Sequence, residues 1–223
     1  MRQLYHTPLS PFCRKIRMML KEKGLEFELI CENPWDNRLD LFARNPAGEV
    51  PVLLEEDGTV VSSAYAIGEY LEEFYPAITL LGTTPAERAE VRRLTDWFDH
   101  KFDYEVTQNI LFEKAFKQRY LQGGEPNSAI IRTGKTNLLY HLDYIGYLAG
   151  ERYFLAGENL TLADLAAAAH LSALDYLGDV PWDHNPAARN WYALMKSRPS
   201  LRCILIERVR GVRPPAYYEN PDF

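Results

Sequence analysis

The sequence predicts two domains of different class: a mixed α/β domain over residues 1–76 and an all-helical domain over residues 87–208. A linker at 77–86 joins them and an extended tail, 209–223, follows. Three observations predict this. Short strand-like apolar segments alternate with helical ones in the first third of the chain. Residues 76–85 concentrate proline, threonine and glycine, which break both periods. Beyond Ala86 the apolar residues recur only at helical spacing.

Each element follows from local chemistry. Residues 2–6 form a first strand, broken by Thr7-Pro8-Leu9-Ser10-Pro11. Ser10 followed by Pro11 is a helix start, with a hydroxyl at the N-cap and a ring that fixes φ at the first helical position. Phe12, Ile16, Met19 and Leu20 share one face, and Gly24 ends the helix at the usual left-handed position. By the same period Arg14, Lys15 and Arg17 belong to a solvated face. Leu25, Phe27 and Leu29 alternate with Glu26 and Glu28 in a second strand that ends at Cys31. Glu32 to Asn37 is a loop carrying Trp35, outward by its setting, and Leu39 to Arg44 makes a turn or two of helix. After the Asn45-Pro46-Ala47-Gly48 turn, Val50-Pro51-Val52-Leu53-Leu54 is a strand, Asp57-Gly58 a hairpin turn, and Thr59-Val60-Val61 the return strand. Ser62-Ser63 caps a helix bearing Ile67, Tyr70, Leu71 and Phe74.

In the second half a long helix runs from Arg88 to about Lys117, with Trp97, Phe98, Phe102 and Tyr104 on it. Those aromatics suit helix core packing or a dimer interface better than an apolar second-substrate pocket. Further helices cover 128–149, 162–177, 186–197 and 200–208. Thr161-Leu162-Ala163-Asp164, flanked by Leu160 and Leu165, is a capping box with a hydrophobic staple. Asp164 is therefore a structural carboxylate. His170, in an apolar helix, reads as a hydrogen-bonded core residue.

Composition narrows the function. The 223 residues are 47% hydrophobic and 25% charged, with a net charge of -6. That supports a packed core, and basic residues spread along an acidic chain exclude the concentrated basic face that nucleic acid requires. No apolar run approaches the ~20 residues of a membrane span. The N-terminal segment is polar where a signal peptide would be apolar, so a cytoplasmic location is expected. Cys13, Cys31 and Cys203 are too few and too scattered for a disulfide framework or a zinc site, and the five histidines have no ligand spacing. No metal is expected.

Three places could carry chemistry. Ser10 and Cys13 lie where the first strand meets the first helix, whose free amides and dipole favour an anion. A thiolate at Cys13 would be stabilised there and its pKa lowered. The same segment also reads as a plain cap before a small buried residue. Val50-Pro51 opens a strand, a setting for a cis peptide that would present the Val50 backbone to an extended ligand. Ser62 and Ser63 open a helix whose amides and hydroxyls would hold a carboxylate, or simply cap.

Taken together, the strand, S-P-F-C, helix, strand, N-P-A-G-E-V-P-V-L, hairpin, S-S and helical half resemble the glutathione transferase family over residues 2–208. The resemblance implies a thioredoxin-like first domain and glutathione as cosubstrate. Ser10 would hold the glutathione thiolate for attack on a small electrophile. Val50 beside cis-Pro51 would pair with the tripeptide backbone, and Ser63 would bind the γ-glutamyl carboxylate. Cys13 stands where dithiol relatives keep their second cysteine, and a redox role for it lacks a resolving partner. A homodimer is a family expectation. Two departures weaken glutathione binding: Ser62 stands where relatives have Glu, Gln or Asp, and Glu49 stands near the expected place of the glycyl carboxylate.

The tail carries Arg208, Arg210 and Arg213 before Pro214-Pro215 and Tyr217-Tyr218-Glu219-Asn220-Pro221-Asp222-Phe223. Such a segment can dock on a partner or fold back on its own domain. With Trp35 it resembles a bacterial branch of the family that binds the tubulin-like division filament. In that reading Trp35, Tyr217, Tyr218, Asp222 and Phe223 are the partner-binding residues.

Overall fold

Four short strands, Gln3–His6 (β1), Glu28–Cys31 (β2), Val52–Leu54 (β3) and Val60–Ser62 (β4), form one sheet in the order β2-β1-β3-β4. β1 and β2 are parallel, and the other neighbours are antiparallel. A parallel pair needs a crossover, supplied by α1, Pro11–Glu22. A 3₁₀ turn at Pro34–Asp36 and α2, Leu39–Arg44, lead to β3; α3, Ala64–Phe74, follows β4. This is the expected thioredoxin-like order. In the computed structural model, which describes residues 1–220, the chain divides into two compact units, Met1–Leu80 and Leu81–Phe223.

The core of the first unit is built from Leu4, Ile16, Met19, Leu20, Val52, Leu53, Ile67 and Leu71, all fully buried. One expectation fails here. Arg14, Lys15 and Arg17 are 0%, 1% and 3% exposed rather than solvated, and none of the three is without an interacting partner. Helical period sorts apolar from charged residues, but it does not show where a paired charge is buried along its aliphatic stem. Two buried ion pairs close the unit. Arg2 Nε meets Glu55 at 3.0 and 3.1 Å, and its Nη2 donates to the Tyr75 hydroxyl at 2.5 Å. Lys23 Nζ meets Glu72 at 2.9 Å, and this pair gathers residues 75–80 onto the unit: Lys23 donates to the Tyr75 and Ile78 carbonyls while Glu72 accepts from the Leu80 amide.

The second unit is helical: α4 Pro85–Asp96, a π-helical segment Trp97–Phe116, α5 Lys117–Tyr120, α6 Ser128–Glu151, α7 Leu162–Tyr176, α8 Pro186–Ser197 and α9 Pro199–Leu205. Helix begins at Pro85 rather than Arg88, because Thr84 and Glu87 form a second capping box. The long helix is also not uniform. Buried Phe98, Phe102, Val106 and Ile110 recur at a strict spacing of four, wider than the α period of 3.6. Wider turns keep that stripe on one face, and the Lys117 amide bonds back five residues to Phe112. Gly134 lets α6 approach this segment: a Cβ there would lie 2.8 Å from Asn109 and Ile110 side-chain atoms. α7 is buried along its whole length. Asp164 closes the expected capping box by accepting from the Thr161 amide at 3.0 Å, and it also takes Leu155 N at 2.8 Å and Trp191 Nε1 at 3.1 Å. His170 is buried and hydrogen-bonded to the Thr107 hydroxyl at 2.8 Å.

Candidate functional site at one end of the sheet

Strand register brings Ser10, Val50, Pro51, Ser62 and Ser63 to one end of the sheet. Tyr5 of β1 pairs with Val52 of β3, and Val52 pairs with Ser62 of β4. The segment leaving β1 (Thr7–Ser10), the segment entering β3 (Val50–Pro51) and the segment leaving β4 (Ser62–Ser63) therefore emerge at the same end. Val50–Pro51 is cis. The loop before it is held by Asn45, whose side chain accepts from Ala47 N at 3.1 Å and donates to the Glu49 carbonyl at 2.9 Å. Gly48 is required in that loop: its φ is +68°, and a Cβ would strike the Phe42 ring at 2.6 Å. Sequence reasoning saw the turn here but not Asn45 as its clamp, although an Asn two residues before a chain reversal is the signal of an Asx turn.

Ser10 caps α1 as expected, and its hydroxyl oxygen accepts from the Cys13 amide at 3.4 Å. Leu9 before it has φ +68°, an uncommon conformation for a branched side chain. Cys13 contradicts the expectation of a stabilised thiolate. It is fully buried, and burial pushes its thiol up to about 11 against the opposing pull of Ser10, Thr7 and Arg17. Desolvation of the charged form outweighs the helix N-terminus because no water reaches the sulfur. A buried thiol raised in this way fits a packed core residue rather than a reactive thiolate.

Ser63 occupies the N-cap of α3, but its hydroxyl makes no capping bond among the described residues. Its φ of +76° explains this: the backbone is turned left-handed, where serine lacks the extended geometry that aims its oxygen at the first helical amides. Ser62 ends β4 and is half-buried, whereas Ser63 is exposed. Neither brings a carboxylate or an amide to this edge. Glu49 is exposed in the loop before Val50.

The remaining candidates are scattered. Trp35 is half-buried in its 3₁₀ turn rather than open. The tail is not simply extended: it folds onto the second unit. Val209 N donates to the Tyr176 hydroxyl at 2.9 Å, which donates to the Val212 carbonyl at 3.0 Å. Tyr218 is fully buried and edge-on to Tyr176 at 5.1 Å, so it anchors the fold instead of standing free. Lys196, itself buried, donates to the Tyr217 carbonyl at 3.3 Å. Tyr217 and buried Asp175 hydrogen-bond, and burial raises Asp175 to about 6. Arg208 pairs with Glu219. Asp222 and Phe223 lie outside the described residues. Among the described residues no group of three or more His, Cys, Asp or Glu side chains is placed to hold a metal ion, and none of the described helices is long and apolar enough to cross a membrane.

Comparison with known proteins follows this geometry. Residues 9–73 match the family model of the glutathione S-transferase N-terminal domain. The chain is 45% identical to FtsZ-localized protein A of Caulobacter vibrioides, covering 100% of this chain and 98% of that one. It is 31% identical to glutathione S-transferase 3 of Zea mays, over 90% of this chain and 91% of the other. Among solved structures, a glutathione S-transferase from Rhodospirillum rubrum superposes with a TM-score of 0.97 at 52% identity, over the full length of both chains. An α/β unit with a cis-proline entry to β3, an all-helical second unit and end-to-end similarity to these proteins lead to one statement: this chain belongs to the glutathione transferase family.

Proposed function

We propose that this protein is a division-associated member of the family, acting as a cytoplasmic homodimeric scaffold that binds the filament protein FtsZ. The observation that carries this reading is the 45% identity, over essentially its full length, to a protein named for its localisation with FtsZ. The candidate site agrees with a change of use. Ser62 and Ser63 offer no charge to the γ-glutamyl ammonium, and a lost charge-assisted hydrogen bond costs about 1.5–3 kcal/mol, an order of magnitude or more in affinity. The burial of Cys13, which raises its thiol, supports the same reading. Trp35 and the outward residues of the tail then serve as contacts.

A second reading, conjugation of glutathione to a small electrophile with Ser10 supporting the thiolate, is favoured by the convergence of Ser10, Val50–Pro51 and Ser63 at one sheet edge. Three measurements separate the readings. Co-sedimentation with polymerised FtsZ, reduced by Trp35→Ala, together with glutathione affinity weaker than millimolar by calorimetry, supports the scaffold. Turnover of glutathione with a model electrophile that is lost in Ser10→Ala, with no co-sedimentation, sinks it.

A further inference from the structure

The second unit carries a groove that the site above does not use. It holds about 500 Å³ and lies between α6, with Arg132, Lys135, Thr136 and Leu139, and the loop after α7, Gly178–Pro181. We propose that this groove docks an extended acidic peptide segment that bears an apolar side chain, independently of any glutathione site or filament contact.

Four observations carry the assignment. The first is charge. Buried Asp179 is met by two ammoniums, Lys114 Nζ at 2.6 Å and Lys135 Nζ at 2.7 Å. One carboxylate cannot neutralise two cations, so a positive charge is left over at this wall. Exposed Arg132 adds a second, since its guanidinium makes no hydrogen bond or ion pair among the described residues. This local surplus stands on a chain of net charge -6, and such a contrast draws an anionic partner to one face. The second is the lining: Leu139, Val180 and Pro181 give the groove an apolar floor that a small inorganic anion would leave wet.

The third is rigidity. The loop is tied down at each step: Gly178 N bonds Asp175 O at 2.9 Å, Asp179 N bonds Leu174 O at 3.1 Å, and His184 N bonds Pro181 O at 2.9 Å. Val180 and Asp179 are buried. A wall fixed before binding adds no ordering cost of its own, the condition under which a short peptide binds measurably. The fourth is place. The tail packs beside the loop wall, with Pro215 near Gly178: a Cβ on that glycine would lie 3.8 Å from Pro215 Cγ. The loop wall is therefore backed by packed chain, and the α6 residues that face it are spaced along that helix, which suits a segment lying lengthwise.

The test uses the full-length protein and a random 12-residue peptide library displayed on phage, with the enriched sequences remade as fluorescent peptides for anisotropy. Enrichment of Asp and Glu around one aromatic or aliphatic residue is expected, with affinity that falls as salt rises. Arg132→Glu and Thr136→Glu, both at exposed positions on the groove wall, are expected to weaken binding about tenfold or more while leaving the thermal transition in place. Several results would overturn the proposal: no enrichment, enrichment without acidic residues, or equal binding by both variants. Competition by hexanoate as effective as by the peptide would make this a small-anion site. A shift from dimer to monomer by sedimentation in Arg132→Glu would give the groove to a second copy of the chain.

Discussion

Removing the Glu72 carboxylate is expected to be among the most costly single changes in the first unit. Lys23 and Glu72 are 1% and 2% exposed at a separation of 2.9 Å. In Glu72→Ala the Lys23 ammonium keeps only two neutral acceptors, the Tyr75 carbonyl at 3.0 Å and the Ile78 carbonyl at 2.6 Å. The buried Leu80 amide loses both of its bonds, at 3.0 and 3.2 Å. Breaking a buried pair from one side costs about 3–5 kcal/mol, and an orphaned buried amide costs about 1–3 kcal/mol. These overlap, so about 4 kcal/mol is expected, a large share of the ~5–15 kcal/mol by which a typical protein is stable. The double variant Lys23→Met, Glu72→Leu removes both desolvation penalties with the pair and is expected to cost less than half as much. Urea unfolding followed by far-ultraviolet circular dichroism measures both. A single variant within about 1 kcal/mol of the parent, or a double variant no better than the single, refutes the reasoning.

Three further outcomes are expected. Iodoacetamide at pH 8 labels exposed Cys31 and spares Cys13, whose thiol is buried and pushed up to about 11; mass spectrometry of the native protein reads this, and early modification of Cys13 contradicts it. Asp164→Ala orphans Thr161 N, Leu155 N and Trp191 Nε1, so a loss of about 3 kcal/mol or more in thermal or urea stability is expected, with no specific effect on any activity of the folded protein. Asp175 gives a pH signature: its folded value of about 6 exceeds the ~3.9 of an unfolded Asp. The folded state therefore holds the extra proton between those values, and stability falls as pH rises from about 4 to about 6, by up to about 3 kcal/mol, and is then flat. Asp175→Asn is expected to lose that slope in a melting series over pH 4–7, and an unchanged slope assigns it to another group.

The fold was legible because its punctuation is chemical. Ser10-Pro11, Gly24, Asp57-Gly58 and Thr161 to Asp164 each mark an end that the structure keeps. What escaped had physical reasons. Thr84 and Glu87 carry the same capping signal as Thr161 and Asp164, but they sit in a stretch whose proline and glycine content masked it. The π-helical turns at Trp97–Phe116 are written in a spacing of four that a search for 3.6 reads as ordinary helix. At the candidate site, the residue types and their meeting point were readable from order alone. The protonation of Cys13 and the failed cap at Ser63 were not, since the first depends on the exclusion of water and the second on a left-handed backbone that serine does not announce.

The burial of Tyr218 divides the tail into residues with different freedom to vary. Its ring is part of the packing around Tyr176, while Arg213, Ala216, Glu219 and Asn220 face outward. Substitution at Tyr218 disturbs core packing, Tyr217 and Glu219 carry contacts to Asp175 and Arg208, and Arg213 and Ala216 stand exposed. Family members can therefore vary exposed positions such as Arg213 and Ala216 at little cost to the fold while holding the aromatic in place. Tails that have lost that tyrosine should have lost the ordered strap with it, whatever they bind.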